Sequence, residues 1–359
     1  MIHLFTSSAP NYIGKVRALC QSLREHCPAM TIHWLVADVR NQTLVDNLDE
    51  ESIDEILFVD DFEPCRDRGW LFQHDMVELS TAVKPEAALA LLAREDCDLL
   101  LYFDPDIVVF SPLDDLLAEL RSASIVLTPH LLQPEQELDA VLDHELCSLR
   151  HGVFNLGFFG VRDCEEGAAF LQWWRERCRT FCWGDWRAGV FTDQKWVNFA
   201  PVFFRGTSIL RSPRFNFAPW NINQRRLTGT FDEGFLVDDE PLGFYHFTGF
   251  DSGAHHQVIH KYAAGNQAAA MLIQWYEHRT RFLTPAEEIP WMLGTFDNGK
   301  QITAEQRKIY RERPDLQTAF PDPYRTSEDE LCYQRWFRYT APVEYPELLG
   351  GNGATEEAS

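Results

Sequence analysis

The sequence predicts an α/β protein: a doubly wound domain with a mainly parallel central sheet and flanking helices, then a mostly helical and irregular carboxyl-terminal subdomain. Three observations predict it. Short apolar runs alternate with helix-period patterns through the first third of the chain. One run, Leu99 to Phe103, is apolar without a break, which implies burial on both faces, as in a parallel sheet covered by helices. From about Ala254 the pattern turns helical again, and its later part holds several prolines and aromatics.

The elements follow in order. Ile2 to Ser7 reads as the first strand, and Val16, Leu19, Cys20 and Leu23 then recur at i, i+3, i+4 and i+7, the stripe of an amphipathic helix. Thr31 to Ala37 and Ile56 to Val59 are the next two strands. Met76 to Ala93 is helical in pattern, with Pro85 near the start of its regular part. Leu99 to Phe103 is the fourth strand. His151 to Thr248 is richer in Gly, Asn, Phe and Trp and reads as short apolar runs joined by loops. Met271, Leu272, Trp275 and Tyr276 form the buried stripe of a late helix, and Pro285 to Pro346 reads as a small irregular subdomain. These patterns divide the chain into residues 1–253, 254–350 and a tail, 351–359, whose sequence GNGATEEAS predicts disorder.

Composition excludes some functions. Against 55 acidic residues stand 32 basic ones, a net charge of −23 over 359 residues, so repulsion from phosphates rules out a general nucleic-acid binder. The same charge argues against anionic membranes as partners unless a local basic patch, such as Arg205 to Arg226, offsets it. Those arginines would alternatively steer a diphosphate. No apolar run approaches the roughly 20 residues of a membrane helix, and the amino terminus lacks the pattern of a secretion signal. Nine scattered cysteines with no CxxC pair, Cys178 and Cys182 among them, read as isolated thiols in a reducing cytoplasm. There is no G-x-G-x-x-G or Walker loop, which argues against hydride transfer and P-loop chemistry.

The sharpest feature is LLLYFDPDIVVF, where Asp104 and Asp106 flank Pro105 directly after the fourth strand. Open α/β sheets bind ligands at that carboxyl edge. Hard divalent cations take oxygen ligands, and magnesium or manganese held by one or two carboxylates keeps positions open for substrate phosphates. D-x-D is a weak pattern in an acidic chain, as Asp96-Cys97-Asp98 shows. That second copy sits at the strand's entry end, so position separates the two.

YFDPDIVVF followed by Ser111-Pro112-Leu113 resembles the metal-binding segment of GT-A glycosyltransferases of the retaining, family 8-like kind. The resemblance continues in chain order. HGVFNLGFFGV (His151 to Val161) is similar to the F-N-x-G segment, FTDQKWVNF (Phe191 to Phe199) to the D-Q-x-x-x-N segment, and FYHFTGF (Phe244 to Phe250) to the H-F-x-G segment. TPH (Thr128 to His130) and FAPWNINQRR (Phe217 to Arg226) resemble a bacterial branch of these enzymes. The resemblance covers residues 1 to about 250. It implies a transferase that moves a sugar from a nucleotide diphosphate sugar, UDP-linked, to a glycan or other hydroxyl acceptor. Asp104, Asp106 and His246 would hold Mn²⁺ or Mg²⁺ with the donor diphosphate. Asn155 and Gly157 would lie near the donor sugar, with Asp193 and Gln194 beside its reacting carbon. Thr6 and Ser7 would meet the nucleotide, and Lys84 would touch the donor.

The chain departs from the family after its histidine. Family members continue into K-P-W, whose lysine binds the diphosphate; here the sequence runs HFTGFDSGAHHQVIHKY. Lys195, Arg225, Arg226 and Lys261 are candidate replacements, and Arg225 is preferred because it lies in a branch motif. Other readings stay open: an inverting transferase with Asp193 as general base, a nucleotidyltransferase, a non-catalytic nucleotide-sugar or glycan-binding module, and a zinc site on His256 and His260 with His255 adjacent. Asp193 also reads as a helix N-cap, Asn155 as a loop cap and Lys84 as a solvated helix-start lysine. Of the tryptophans, Trp173 and Trp174 with Phe170 look like a packed helix face, whereas Trp183 and Trp186 fall in a loop suited to recognition.

Overall fold

The computed structural model describes residues 1–40, 42–47, 52–287, 289–327 and 330–349; the tail 351–359 lies outside the described residues. Its centre is a seven-stranded sheet in the order β3-β2-β1-β4-β7-β6-β8. The strands are β1 (Ile2–Ser8), β2 (Thr31–Val36), β3 (Glu55–Phe58), β4 (Leu99–Phe103), β6 (Ile125–Pro129), β7 (Phe154–Arg162) and β8 (Thr207–Ile209). Every pairing is parallel except those of β7, which runs antiparallel to both β4 and β6. The expected class, a mainly parallel sheet flanked by helices, is the class observed.

The unbroken apolar run of β4 has the expected cause. Leu100 and Tyr102 enter the core on one face, while Leu99, Leu101 and Phe103 enter the core on the other. One of its partners, β1, is parallel as expected, whereas the other, β7, is antiparallel. The stripe Val16, Leu19, Cys20 and Leu23 is fully buried on the helix Ile13–His26. The helix expected over Met76 to Ala93 is two helices, Met76–Ala82 and Lys84–Leu92. Pro85 lacks an N–H to continue the first, so a new first turn starts there. That break sets Lys84 at a helix start, over the carboxyl end of β4.

Two small ladders lie outside the central sheet. β5 (Ile107–Val109) pairs antiparallel with β12 (Phe244–His246), bringing His246 opposite Ile107. A second, three-stranded sheet joins β9 (Leu227–Thr230), β10 (Gly234–Val237) and β11 (Glu240–Pro241).

After residue 253 the chain packs back on the sheet's helices. The helix Gln267–Leu283 lies along Ile13–His26, closely enough that a Cβ on Gly14 would come 2.2 Å from Thr284 Oγ1. Leu272 and Tyr276 are fully buried there, while Met271 and Trp275, expected in the same stripe, are half-buried. Further on, the Asp38 carboxylate accepts the N–H groups of Met292 and Leu293, and Phe72 is ringed by Phe296, Tyr310, Tyr324 and Tyr333. All nine cysteines are free thiols. Among the described residues no helix is long and apolar enough to cross a membrane.

Candidate active site

The turn after β4 is built so that two carboxylates leave the sheet on the same side. The Ile107 N–H donates to the Asp104 carbonyl (3.1 Å), closing Asp104-Pro105-Asp106 into a turn, and the Phe247 N–H donates to the Asp106 carbonyl (2.8 Å). The second bond locks β12 against the turn. His246 Nε2 therefore lies 3.0 Å from Asp106 Oδ1 and 3.8 Å from Asp104 Oδ2. Among the described residues these three form the one group of three or more carboxylate, imidazole or thiol ligands within 4.8 Å of one another. The rival histidines do not converge. His255 is buried, its Nε2 at 3.3 Å from the Tyr245 hydroxyl and its Nδ1 at 3.2 Å from the Thr248 carbonyl.

The orientation of His246 is fixed from behind. Its Nδ1 lies 3.2 Å from Asn155 Oδ1, which also accepts from the Gly157 N–H (3.1 Å) and from Asn216 Nδ2 (3.2 Å). With Nδ1–H donating to that amide oxygen, Nε2 faces the two carboxylates. Gly157 earns its place through the same ring: a Cβ there would sit 2.2 Å from His246 Cε1 and 2.6 Å from Nδ1. The space a side chain at 157 would fill is taken by the imidazole. Burial pushes the His246 pKa down, but Asp106 and then Asp104 push it up by more, so in the bare site it is raised. Asp106 is lowered despite burial because His246 faces it.

Lys84 occupies the middle of the site. It is 3% exposed, with Nζ 3.3 Å from Asp104 Oδ1, 3.2 Å from Asp193 Oδ2, 3.3 Å from the Leu156 carbonyl and 4.2 Å from the centre of the Tyr102 ring. It is not a solvated helix-start lysine. Burial would lower its pKa, but the two carboxylates raise it. Tyr102 adds its hydroxyl to Asp104 Oδ1 at 2.5 Å.

Asp193 follows Thr192, a β-branched residue held at φ 43°, where side chains of its kind are strained. Its carboxylate takes the Thr192 hydroxyl at 3.2 Å and faces Lys84, so it caps no helix; the helical turn Lys195–Phe199 begins after Gln194. Asp193 Oδ2 is buried, with the Lys84 ammonium 3.2 Å away as its charged partner. Burial, offset in part by Lys84, leaves its pKa raised. Gln194 is clamped at both ends, accepting from the Leu156 N–H (3.0 Å) and donating to the His151 carbonyl (3.2 Å).

These groups line a cavity of about 360 Å³: Lys84, Asp104, Asn155, Asp193, Gln194 and His246 meet there. A smaller neighbour of about 180 Å³ shares Lys84 and Asp104 and reaches Ser7. Thr6 is fully buried and lines neither cavity. Arg225, preferred as the diphosphate cation, is also outside both. It is buried, and its Nη1 donates to the carbonyls of Pro213 and Phe215. A guanidinium inside a loop satisfies backbone acceptors that water does not reach. Arg226 and Lys261 pair instead with Asp239 and Asp143.

Two further residues join the site, His130 from Thr128-Pro129-His130 and Trp220 from the segment Phe217 to Arg226. His130 Nε2 is 3.3 Å from Asn155 Nδ2, and burial lowers its pKa to about 4, so it is a neutral acceptor. The Trp220 ring stands edge-on to both His130 and His246, with centroids 5.2 Å apart in each case. Asn216, at φ 51°, ties Thr128 to Asn155.

No protein-family model matches the chain. It is 28% identical over 253 residues to the uncharacterized protein YfnD of Bacillus subtilis, spanning 69% of this chain and 78% of that protein. To the uncharacterized protein YfnF of the same organism it is 25% identical over 178 residues, spanning 49% of this chain and 58% of that one. Among solved structures it is similar to the galactosyltransferase LgtC in complex with donor and acceptor sugar analogs, at 18% identity and TM-score 0.45 over 80% of this chain and 98% of that one. It is also similar to mouse xyloside xylosyltransferase 1, at 13% identity and TM-score 0.40 over 69% and 98%.

Proposed function

We propose that this chain is a metal-dependent glycosyltransferase that moves a sugar from a nucleotide diphosphate sugar, UDP-linked, to the hydroxyl of a glycan or other acceptor with retention of configuration. The observation that carries the reading is the convergence of Asp104, Asp106 and His246 where two adjoining cavities meet, the larger lined by Lys84, Asp104, Asp193 and His246 and the smaller by Lys84, Asp104 and Asp106. Two hard carboxylates and an imidazole with its second nitrogen already held suit Mn²⁺ or Mg²⁺. Bound there, such an ion supplies charge neutralisation for a departing diphosphate.

The chain's own groups do the rest. The Asp193 carboxylate, buried beside Lys84 on the cavity wall, accepts a hydroxyl of the donor sugar and orients it. Lys84 stands between Asp193 and Asp104 and offsets the repulsion between the two carboxyl groups. Gln194, clamped at both ends, presents a fixed dipole beside the sugar, where positive charge develops in an oxocarbenium-like transition state. Thr6, Ser7 and Gly157 belong to the donor side in this reading, and Arg225 supports it through the loop that carries Asn216. The acceptor oxygen bonds to the anomeric carbon as the carbon–phosphate oxygen bond breaks, and its proton passes to the leaving phosphate. The region 254–350 shapes the acceptor side. Nine free thiols support a reducing, cytoplasmic location.

A second reading has an observation of its own: the raised pKa of Asp193, whose carboxylate lines the cavity, suits a general base, which would invert configuration. The anomeric configuration of the product separates the two.

The test is donor hydrolysis with UDP-, GDP-, dTDP- and CMP-sugars, each with Mn²⁺ and with EDTA. The expected result is slow, metal-dependent release of UDP that falls on the order of 10³-fold in Asp104→Asn and in Asp106→Asn. If no donor turns over and none stabilises the folded chain with metal, the transferase reading fails.

A further inference from the structure

His144 and Trp220 both line the larger cavity, and each carries a polar atom that nothing in the chain satisfies. His144 Nε2 and Trp220 Nε1 are buried and have no hydrogen-bond partner among the described residues. A polar atom is costly to bury unmatched, so each calls for a partner from outside the chain. Neither takes part in holding the proposed metal ligands or Asp193.

The rest of the His144 ring is committed. Its Nδ1 lies 2.8 Å from Glu135 Oε1, and both side chains are 3% exposed. Glu135 is itself held on two sides: its Oε2 accepts from Asn223 Nδ2 at 2.8 Å, and its backbone N–H donates to Glu145 Oε1 at 2.7 Å. Tyr262 packs against the imidazole with ring centroids 4.7 Å apart. With Nδ1–H given to Glu135, Nε2 is the ring nitrogen left for a ligand. His144 belongs to a turn of π-helix, Val141–Glu145, a form that is rare and recurs at functional sites. That turn packs against Pro219–Asn221, which carries Trp220.

Position gives the two atoms to the acceptor. Lys84 and Asp104 line both cavities, Ser7 and Asp106 the smaller alone, and His144 and Trp220 the larger alone. With the nucleotide on the Ser7 side and its sugar beside Asp193 and Gln194, the wall that carries His144 and Trp220 is what remains. An indole N–H only donates, whereas an imidazole nitrogen accepts or donates with its protonation; a hydroxyl, which does both, serves either. Two such atoms on adjacent turns suit a ligand with more than one hydroxyl. We propose that His144 Nε2 and Trp220 Nε1 each bind a hydroxyl of the acceptor, and that the acceptor is therefore a sugar rather than an alcohol with one hydroxyl. Glu135 is a positioning residue, which acts by fixing the imidazole. The proposal rests on the transferase reading.

The test sets transfer against hydrolysis. The probes are the methyl glycosides of glucose, galactose, mannose and N-acetylglucosamine, with ethanol as the alcohol of one hydroxyl. Each is added with Mn²⁺ and the donor that the hydrolysis panel selects, and glycosylated probe is separated from free sugar. The parent should transfer to at least one glycoside and not to ethanol. The ratio of transfer to hydrolysis should fall about tenfold in Trp220→Phe, which keeps a ring and removes the N–H, and about tenfold in His144→Phe, each through a higher KM for the glycoside. His144→Gln, whose amide both donates and accepts, should recover part of the loss, which a merely structural histidine would not predict. Thermal melting and Mn²⁺ titration of each variant separate lost binding from lost folding, and Trp220→Phe decides alone if His144→Phe does not fold. An unchanged ratio in either folded variant overturns the inference, as does transfer to ethanol as efficient as to the glycosides, or hydrolysis with no transfer to any probe. Absence of hydrolysis in the parent overturns the transferase reading instead, and the inference with it.

Discussion

The two ends of the central sheet each bury histidine against carboxylate, with opposite results. At the carboxyl end His246 faces Asp106 and Asp104, and its pKa is raised although burial pulls it down. At the amino end His3 Nδ1 lies 3.0 Å from His33 Nε2, the rings stack at 5.2 Å, and His33 Nδ1 lies 2.9 Å from Glu55. There burial wins and lowers His33 to about 4. The difference is in the carboxylates. Glu55 is partly exposed and shared with Arg94 at 2.7 Å, so little of its charge is left for the imidazole. Asp106 faces His246 directly, and Asp104 stands close behind it. A buried histidine beside an acid is therefore not in itself a site; a histidine between two acids that converge on a cavity is a much stronger indication.

The largest break in this comparison should come from Lys84→Met. It would leave Asp104 and Asp193 facing each other without their cation, and Asp193 is only 2% exposed. Removing one partner from buried charges costs about 3–5 kcal/mol, readable as a shift in urea midpoint. Arg94→Met at the other end breaks an ion pair open to water and should cost less than about 1 kcal/mol. Equal losses would mean that the two clusters do not differ in the way burial implies.

Much of this was legible in the sequence, for identifiable reasons. An unbroken apolar strand followed by D-x-D places two carboxylates at a sheet edge, and chain-ordered motifs brought His246, Asn155 and Asp193 to the same place. Asp96-Cys97-Asp98 was separated by position alone, and Asp96 does lie at the far end, 3.5 Å from His3. Arg225 was misplaced because a motif shows that a residue matters without showing whether it meets ligand or backbone. Lys84 was expected to touch the donor, but a lysine at a helix start usually faces water, and only the break at Val83 turns this one inward. His130 and Trp220 were passed over because their contacts with Asn155 and His246 span long stretches of chain. Local periodicity carries no trace of them.

The amino-end pair should also reveal itself by pH. Above 6.5, His33 is neutral in both folded and unfolded chains. As the pH falls from 6.5, the unfolded chain takes up a proton while the folded chain resists until about 4. Stability is thus lost across pH 6.5 to 4, by about 3 kcal/mol at most from this group. His33→Gln should flatten that part of the stability profile relative to the parent, measured as the difference in urea midpoint between pH 7 and pH 5. An unchanged slope would show that His33 protonates as freely in the folded chain as in the unfolded one.

The smallest expected effect is the sharpest test of what distinguishes His246. If its Nδ1–H is held by Asn155 so that Nε2 faces the carboxylates, Asn155→Ala leaves the ring free to turn while all three proposed ligands remain. Loss of such an outer partner typically weakens metal binding 10–100-fold, which calorimetric titration with Mn²⁺ would read directly. Asn155→Asp keeps an oxygen acceptor in place and should recover part of the affinity, which a merely structural asparagine would not predict. Glu55→Gln, which changes the histidine partner at the opposite end, should leave Mn²⁺ affinity untouched. If Asn155→Ala binds Mn²⁺ like the parent, the orientation of His246 is set by the β5–β12 ladder and the Trp220 ring alone. The amide would then serve only to tie Asn216 and Gly157 together.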